Sequence, residues 1–209
     1  DKNEMLWFGT AAGVFCYDRM NIAPFLGYGT IKNDTGLTLK NTQCIFEDKK
    51  GNIWFGSGPM AFEGLSLYDG KTLTKVNLNN EDWIRNITES RDGKLLFTTR
   101  RFGIFTFDGK DFTPFAAPSE LKNSLLTYCL EDSKGSVWYA SDYLNISDIT
   151  TGGFWRLDTT SFTTFTKKGG ISNTAVSFIL EDRNKNIWIG TRNTGLYCFS
   201  GKTFTRFYE

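Results

Sequence analysis

The chain has 209 residues, 40 % hydrophobic and 22 % charged, with 24 Lys and Arg against 23 Asp and Glu. That balance makes no field to recruit nucleic acid or an acidic membrane, and no apolar run reaches the roughly 18 residues that a membrane helix needs. Histidine is absent, which removes Ser-His-Asp and Cys-His nucleophile pairs and the commonest ligand of transition metals, while 19 Phe and 6 Trp favour strands over helices.

The first element in the chain is LWFGT around Trp7, followed by GVFCYD from residue 13 and an apolar pair, Phe25 and Tyr28. At residue 42 the pattern starts again: TQCIFED, a turn KKGN, IWFGS with Trp54, GLSLYDG from residue 64, then Leu73 and Val76. The third copy is weaker. It reads ESRDGKLLFTT, with Ser90 where the others have Asp and Leu96 where they have Trp, then GIFTFDG, Phe112 and Phe115. The fourth runs EDSKGSVWYAS, GFWRLD, Phe162 and Phe165, and the fifth EDRNKNIWIGT, GLYCFSG, Phe204 and Phe207. Aligned on Trp7, Trp54, Leu96, Trp138 and Trp188, the copies are spaced by 47, 42, 42 and 50 residues, a period that belongs to propellers and solenoids.

Each copy offers four short β-rich runs, A to D, with turn residues between them. Four antiparallel strands cannot bury both faces alone, so the sheets must stack on their neighbours, and blades around an axis achieve this. The predicted fold is therefore an all-β propeller of five blade-like units, about 1–40, 41–82, 83–122, 123–170 and 171–209, forming one domain over residues 1–209. The first unit lacks its A strand, which suggests a segment of a longer protein. No segment has a sustained helical period, so almost no helix is expected. The recurring aromatic of strand B is expected to fill the space between adjacent sheets.

The motif N-x-x-V-x-x-I-x-E-D-x-x-G-x-I-W-x-G-T, followed by G-L-x-x-Y-D-G and F-x-x-F, resembles the two-component regulator propeller repeat, and residues 171 to 207 follow it nearly letter for letter. The resemblance implies a sensor β-propeller, outside the cytoplasmic membrane of a bacterium, in the periplasm or beyond. It would recognise a carbohydrate-like ligand and act with other domains of a sensor kinase. Unit three departs from the motif at Ser90, Leu96 and Thr98, which questions its packing.

The carboxylate pairs Glu47/Asp48, Glu131/Asp132 and Glu181/Asp182 invite a glycosidase reading, but they recur at one letter of each repeat and so lie around the ring as turn caps. Asp182, Asn184 and Asn186 have the spacing of a calcium-loop start without its later Glu, so no metal is expected. Cys16, Cys44, Cys129 and Cys198 show no metal or redox spacing and read as buried free thiols. No cofactor is implied, and GYGT lacks the helix a dinucleotide fingerprint requires.

The B to C and D to A loops vary in length between copies, as in SGPMAFEG from residue 57, the stretch from 140 to 153, and some 20 residues after unit one. Loops on a rigid scaffold are where recognition concentrates. On that face we take Trp83, Arg85, Arg100, Arg101, Tyr143, Arg192 and Asn193 as candidate ligand-binding residues, an aromatic platform with planar donors suited to a sugar or a carboxylated glycan. Binding to a small carbohydrate-like ligand or a protein partner, without catalysis and without nucleic acid or membrane insertion, is the leading expectation. The alternatives are a propeller glycosidase or lyase, for which Asp82, Asp142 and Asp148 are the acidic candidates, and a protein-interaction scaffold.

Overall fold

The computed structural model describes residues 1–27, 29, 31–121, 125–143, 153–159, 161–165, 171, 175–192 and 194–207, with the side chains of 142 and 143 excepted. It contains five antiparallel sheets, each a meander in which every strand pairs with the next in sequence. The first has three strands, β1 (Leu6–Thr10), β2 (Gly13–Tyr17) and β3 (Ile22–Pro24). The other four have four each: β4 (Thr42–Glu47), β5 (Ile53–Ser57), β6 (Leu65–Tyr68) and β7 (Leu73–Val76); β8 (Ile84–Glu89), β9 (Leu95–Thr99), β10 (Ile104–Phe107) and β11 (Phe112–Pro114); β12 (Leu125–Glu131), β13 (Val137–Tyr143), β14 (Gly153–Leu157) and β15 (Phe162–Thr164); and β16 (Val176–Glu181), β17 (Ile187–Thr191), β18 (Leu196–Phe199) and β19 (Phe204–Phe207). The fold is the five-bladed all-β propeller expected, its first blade lacking strand A. The described helical residues are two short 3-10 turns, Phe25–Gly27 and Ser119–Leu121. By compactness the chain divides within β8 into two parts, a first unit (Asp1–Ile87) and a second unit (Thr88–Glu209), each spanning more than one repeat.

The hairpin that joins A to B explains the repeated carboxylates. Asp48 Oδ1 accepts the amides of Lys50 and Asn52, and its other oxygen accepts the Trp54 indole N–H at 3.0 Å. Asp132 does the same for Lys134, Ser136 and Trp138, and Asp182 for Asn184, Asn186 and Trp188. Asp1 plays this part for Trp7 at 2.8 Å. One carboxylate thus ties the turn and anchors the large side chain of the next strand, which is why both letters recur together. In the third copy both are lost: the one hydroxyl proton of Ser90 is directed to Asp92 or the Lys94 carbonyl, and the Leu96 side chain has no N–H to offer.

The neighbouring glutamate has a different task, to link consecutive sheets. Glu47 accepts the Lys2 amide of the first sheet at 2.9 Å, Glu131 accepts the Arg91 amide and Nε, and Glu181 accepts the Ser133 amide and hydroxyl. These are charge-assisted bonds, stronger than neutral ones, at matching places between sheets.

In the first unit Val14, Cys16, Phe25, Leu37, Leu39, Ile53, Phe55 and Leu73 form one apolar core. Trp7 packs on it, 5.0 Å from Phe25 and 5.8 Å from Phe55. In the second unit Trp138 stacks on Phe154 at 5.2 Å and on Phe165 at 5.8 Å, and meets Phe199 of the next sheet edge-on at 5.6 Å. The strand B aromatic fills the space between sheets, as expected.

Three expectations need correction or refinement. Phe25 does not head the first D run: register places Ile22 opposite Tyr17, as Phe112 lies opposite Phe107, so Phe25 corresponds to Phe115 and Phe165. Tyr28 lies outside the described residues. The long connection after β3, one of the loops of variable length, is itself packed, because Leu37 and Leu39 are buried and Lys32 bridges Thr72. Of the four free cysteines Cys16 and Cys129 are buried, while Cys44 and Cys198 are half-buried. Burial pushes the Cys16 and Cys44 thiols up to about 12, so neither is a ready nucleophile at neutral pH.

The turn carboxylates Asp48 and Asp182 are expected to make the fold acid-sensitive in a defined window. The Trp188 indole, the Asn186 side chain and two backbone amides hold Asp182 down at about 2; at Asp48 burial pushes the other way and the same kinds of bond override it. A carboxyl held below its unfolded value of about 3.9 stabilises the fold above that value, and this contribution is lost as pH falls through the folded pKa. Asp182→Asn is therefore expected to be less stable than wild type at pH 7, with the gap closing between about pH 4 and 2. Urea midpoints at pH 7, 4 and 2.5 test this. A gap that is constant with pH contradicts it.

Candidate functional site

In the first unit the start of β8 brings two of the expected residues together. Trp83 precedes the strand and Arg85 lies two residues on, so period-two geometry places both on one face. The Arg85 guanidinium sits 4.6 Å from the centre of the half-buried Trp83 ring, within the range of a cation–π contact. The Trp83 indole N–H donates to Gln43 Oε1 of β4. Behind them Glu81, 5 % exposed, accepts the amides of Asp82 and Trp83 on one carboxylate oxygen at 3.0 Å each. The approach to β8 is thus pinned by a buried acceptor.

Sequence reasoning missed Gln43 because a β-bulge hides it. The ladder between β4 and β5 slips between Thr42 and Cys44, the β12–β13 ladder slips at Thr127, and the β16–β17 ladder slips between Val176 and Phe178. In each, a polar residue takes the extra place: Gln43, Thr127 or Ser177. Bulges re-aim a side chain, and at Gln43 and Thr127 the polar residue reaches toward the following sheet. Thr127 Oγ1 donates to the Val176 carbonyl as Gln43 receives Trp83. The available signal was the repeat alignment itself, which sets Gln43 beside Arg85.

In the second unit Arg100 and Arg101 occupy the β9–β10 loop, and Arg192 the β17–β18 loop, all exposed. Both loops are closed by the threonine at the end of strand B. Thr99 Oγ1 donates to the Gly103 carbonyl at 2.9 Å and Thr191 Oγ1 to that of Gly195 at 2.6 Å, so the Arg-bearing residues are held out on a tight reversal. Arg101 lies 5.5 Å from the Phe102 ring, and the Arg192 amide donates to the Ala175 carbonyl. Tyr143 ends β13 by its backbone; Asn193 lies outside the described residues.

Among the described residues the recurring carboxylates are engaged in turns and links between sheets. Asp48, Asp132 and Asp182 are committed to turns and indoles and Glu47, Glu131 and Glu181 to neighbouring sheets, while Asp148 and the Asp142 side chain lie outside the description. Among the described residues no three His, Cys, Asp or Glu side chains could hold a metal ion, and no helix is long and apolar enough to cross a membrane.

These features define an all-β propeller whose consecutive sheets are joined by side-chain hydrogen bonds. The family described as two component regulator propeller matches residues 36–58 and 170–193, in the second and fifth repeats. No curated protein matches the chain at the level of sequence. Among solved structures the chain is similar in fold to a catalytically inactive histidine-to-alanine variant of virginiamycin B lyase from Staphylococcus aureus (15 % identity, TM-score 0.65, 95 % of this chain and 64 % of that one). It is likewise similar to a gluconolactonase from Xanthomonas campestris (15 % identity, TM-score 0.64, 93 % and 67 %). A third similar structure is the extracellular domain of BT4673 from B. thetaiotaomicron, described as a one component system (16 % identity, TM-score 0.61, 100 % and 32 %). The chain therefore spans less than two thirds of the lyase and about a third of the sensor protein's domain.

Proposed function

We propose that this propeller is an extracytoplasmic binding module of a bacterial sensor, recognising a carbohydrate-like ligand without transforming it. The observation that carries the reading is the Trp83–Arg85–Gln43 arrangement: a half-buried indole with a guanidinium over it and an amide at its N–H, on a segment fixed by buried Glu81. Rigid aromatic surface beside planar hydrogen-bonding groups is what a sugar ring needs from a protein. The exposed arginines Arg100, Arg101 and Arg192 add donors suited to carboxylated glycans in the second unit. The regulator repeats support a sensing role, with other domains of a kinase as the natural partners.

Two observations weigh against the lyase and glycosidase alternatives. The S. aureus lyase is catalytically inactive when one histidine becomes alanine, whereas these 209 residues contain no histidine. The recurring carboxylates are also occupied as described above. A protein-binding role has one feature in its favour, the β5–β6 loop, where Met60 and Phe62 are 82 % and 68 % exposed.

A thermal-shift and glycan-array screen against neutral and acidic oligosaccharides tests the proposal. Trp83→Ala is expected to weaken the best ligand by about 2 kcal/mol, roughly 30-fold, as for a buried aromatic anchor. Arg85→Ala should weaken it less. Failure of every glycan to bind, or binding that both substitutions leave intact, overturns the site.

A further inference from the structure

We infer that the slot between the third and fourth sheets, at the hairpin end of β9, is a second binding site, for a small neutral molecule carrying a planar N–H heteroaromatic ring. The argument starts from two cavities at equivalent places. Between the first and second sheets, beside Trp7, the space is about 290 Å³. Between the third and fourth, beside Leu96, it is about 660 Å³. Corresponding letters line both, including Glu47 and Ile53 in one and Glu131 and Val137 in the other. What differs is that the third copy has lost its indole and the carboxylate that holds it, and the larger space is well within the range of about 300–1,000 Å³ typical of small-molecule sites.

The remaining walls suit the ring that is missing. Phe115 stands where Phe165 stacks on Trp138 at 5.8 Å with an interplanar angle of 15°. Thr106, paired with Leu96, replaces the larger Arg156 that pairs with Trp138. Ser90 lines the slot at the letter where Asp132 accepts an indole N–H. Its single proton is directed to Asp92 or the Lys94 carbonyl, which leaves a hydroxyl lone pair to accept from a ring N–H. The charges at the mouth are already matched, Arg91 with Glu131 and Lys94 with Asp92, each at 2.8 Å, so a neutral ligand meets no uncompensated charge. Because Ser90 and Arg100 lie beyond opposite ends of β9, this site is separate from the arginine loops.

Indole is the probe. It is expected to raise the melting temperature of the wild-type chain by about 2–4 °C at millimolar concentration. Ser90→Asp/Leu96→Trp, which rewrites the repeat in full, should melt higher than wild type and show no indole-dependent shift. Thr106→Arg, which fills the slot from the opposite strand, serves if that double variant fails to fold, and should also abolish the shift. Equal shifts in wild type and a filled variant place indole elsewhere and overturn the inference, as does the absence of any shift or saturation-transfer NMR signal with wild type.

Discussion

Replacing Trp138 by alanine is expected to destabilise the chain by about 3–5 kcal/mol, a large part of the total stability of a typical domain. The indole is 1 % exposed and is enclosed by Phe154 and Phe165 on its own sheet and Phe199 on the next, so truncation opens a cavity that rigid strands cannot close. A second loss follows. Asp132, itself 4 % exposed, would keep its two turn amides but lose the indole N–H from its other oxygen, leaving a buried carboxylate less well satisfied. Trp188, half-buried and in contact with Phe207, should lose clearly less on the same substitution. Guanidinium unfolding of the two variants checks the order. Equal losses, or a loss below 1 kcal/mol at Trp138, would refute the reading of the strand B aromatic as the wedge between sheets.

Most of the architecture was legible because each structural demand is written several times. Trp7, Trp54, Trp138 and Trp188 mark strand B, and the aspartate six residues before each one satisfies its indole, so the two letters confirm each other. Even the exception obeys the rule, since Ser90 and Leu96 change together. The misplaced D run of the first copy fails for a plain reason. Ile22–Pro24 has weak strand letters and follows a turn closed by Asp18, as in the second and third copies, but with Arg19 in the glycine's place, whereas Phe25 matches the F-x-x-F pattern yet packs from a 3-10 turn. Glutamate as the link between sheets was not legible either, because its partners are the amides of Lys2, Arg91 and Ser133, which have no common side-chain chemistry.

The site was less legible than the fold, and the bulges explain much of the difference. Period-two reading puts Thr42, Gln43 and Cys44 on alternating faces, but the slip at Gln43 lets a polar side chain reach the Trp83 indole. Trp83 and Arg85 could be found because a large aromatic and a cation at the head of a strand are hard to explain as linkers. Glu81 could not, since a carboxylate beside Asp82 in a loop looks like ordinary solvated surface, and burial is what gives it a role.

Gly64→Ala is expected to cost about 2–4 kcal/mol and to weaken binding at the proposed Trp83 site with it, although Gly64 lies outside that site. Two effects combine. Gly64 has φ +70°, where an L side chain is strained, and an added Cβ would lie 2.5 Å from the Glu81 carbonyl oxygen. The second contact matters for function, because Ser57 ties Gly64 to this same segment: its hydroxyl receives the Gly64 amide and donates to the Asp82 carbonyl. Pushing the Glu81–Asp82 backbone away moves the carboxylate that pins the Trp83 amide, and the indole moves with it. Gly36→Ala is the control, with φ +66° and open space around the new Cβ, so only the conformational part of about 1–2 kcal/mol applies. The excess loss at Gly64 measures the clash. If the two variants lose the same stability and the same affinity, the β5–β6 loop does not set the position of Trp83, and the platform must be held by β4 and β8 alone.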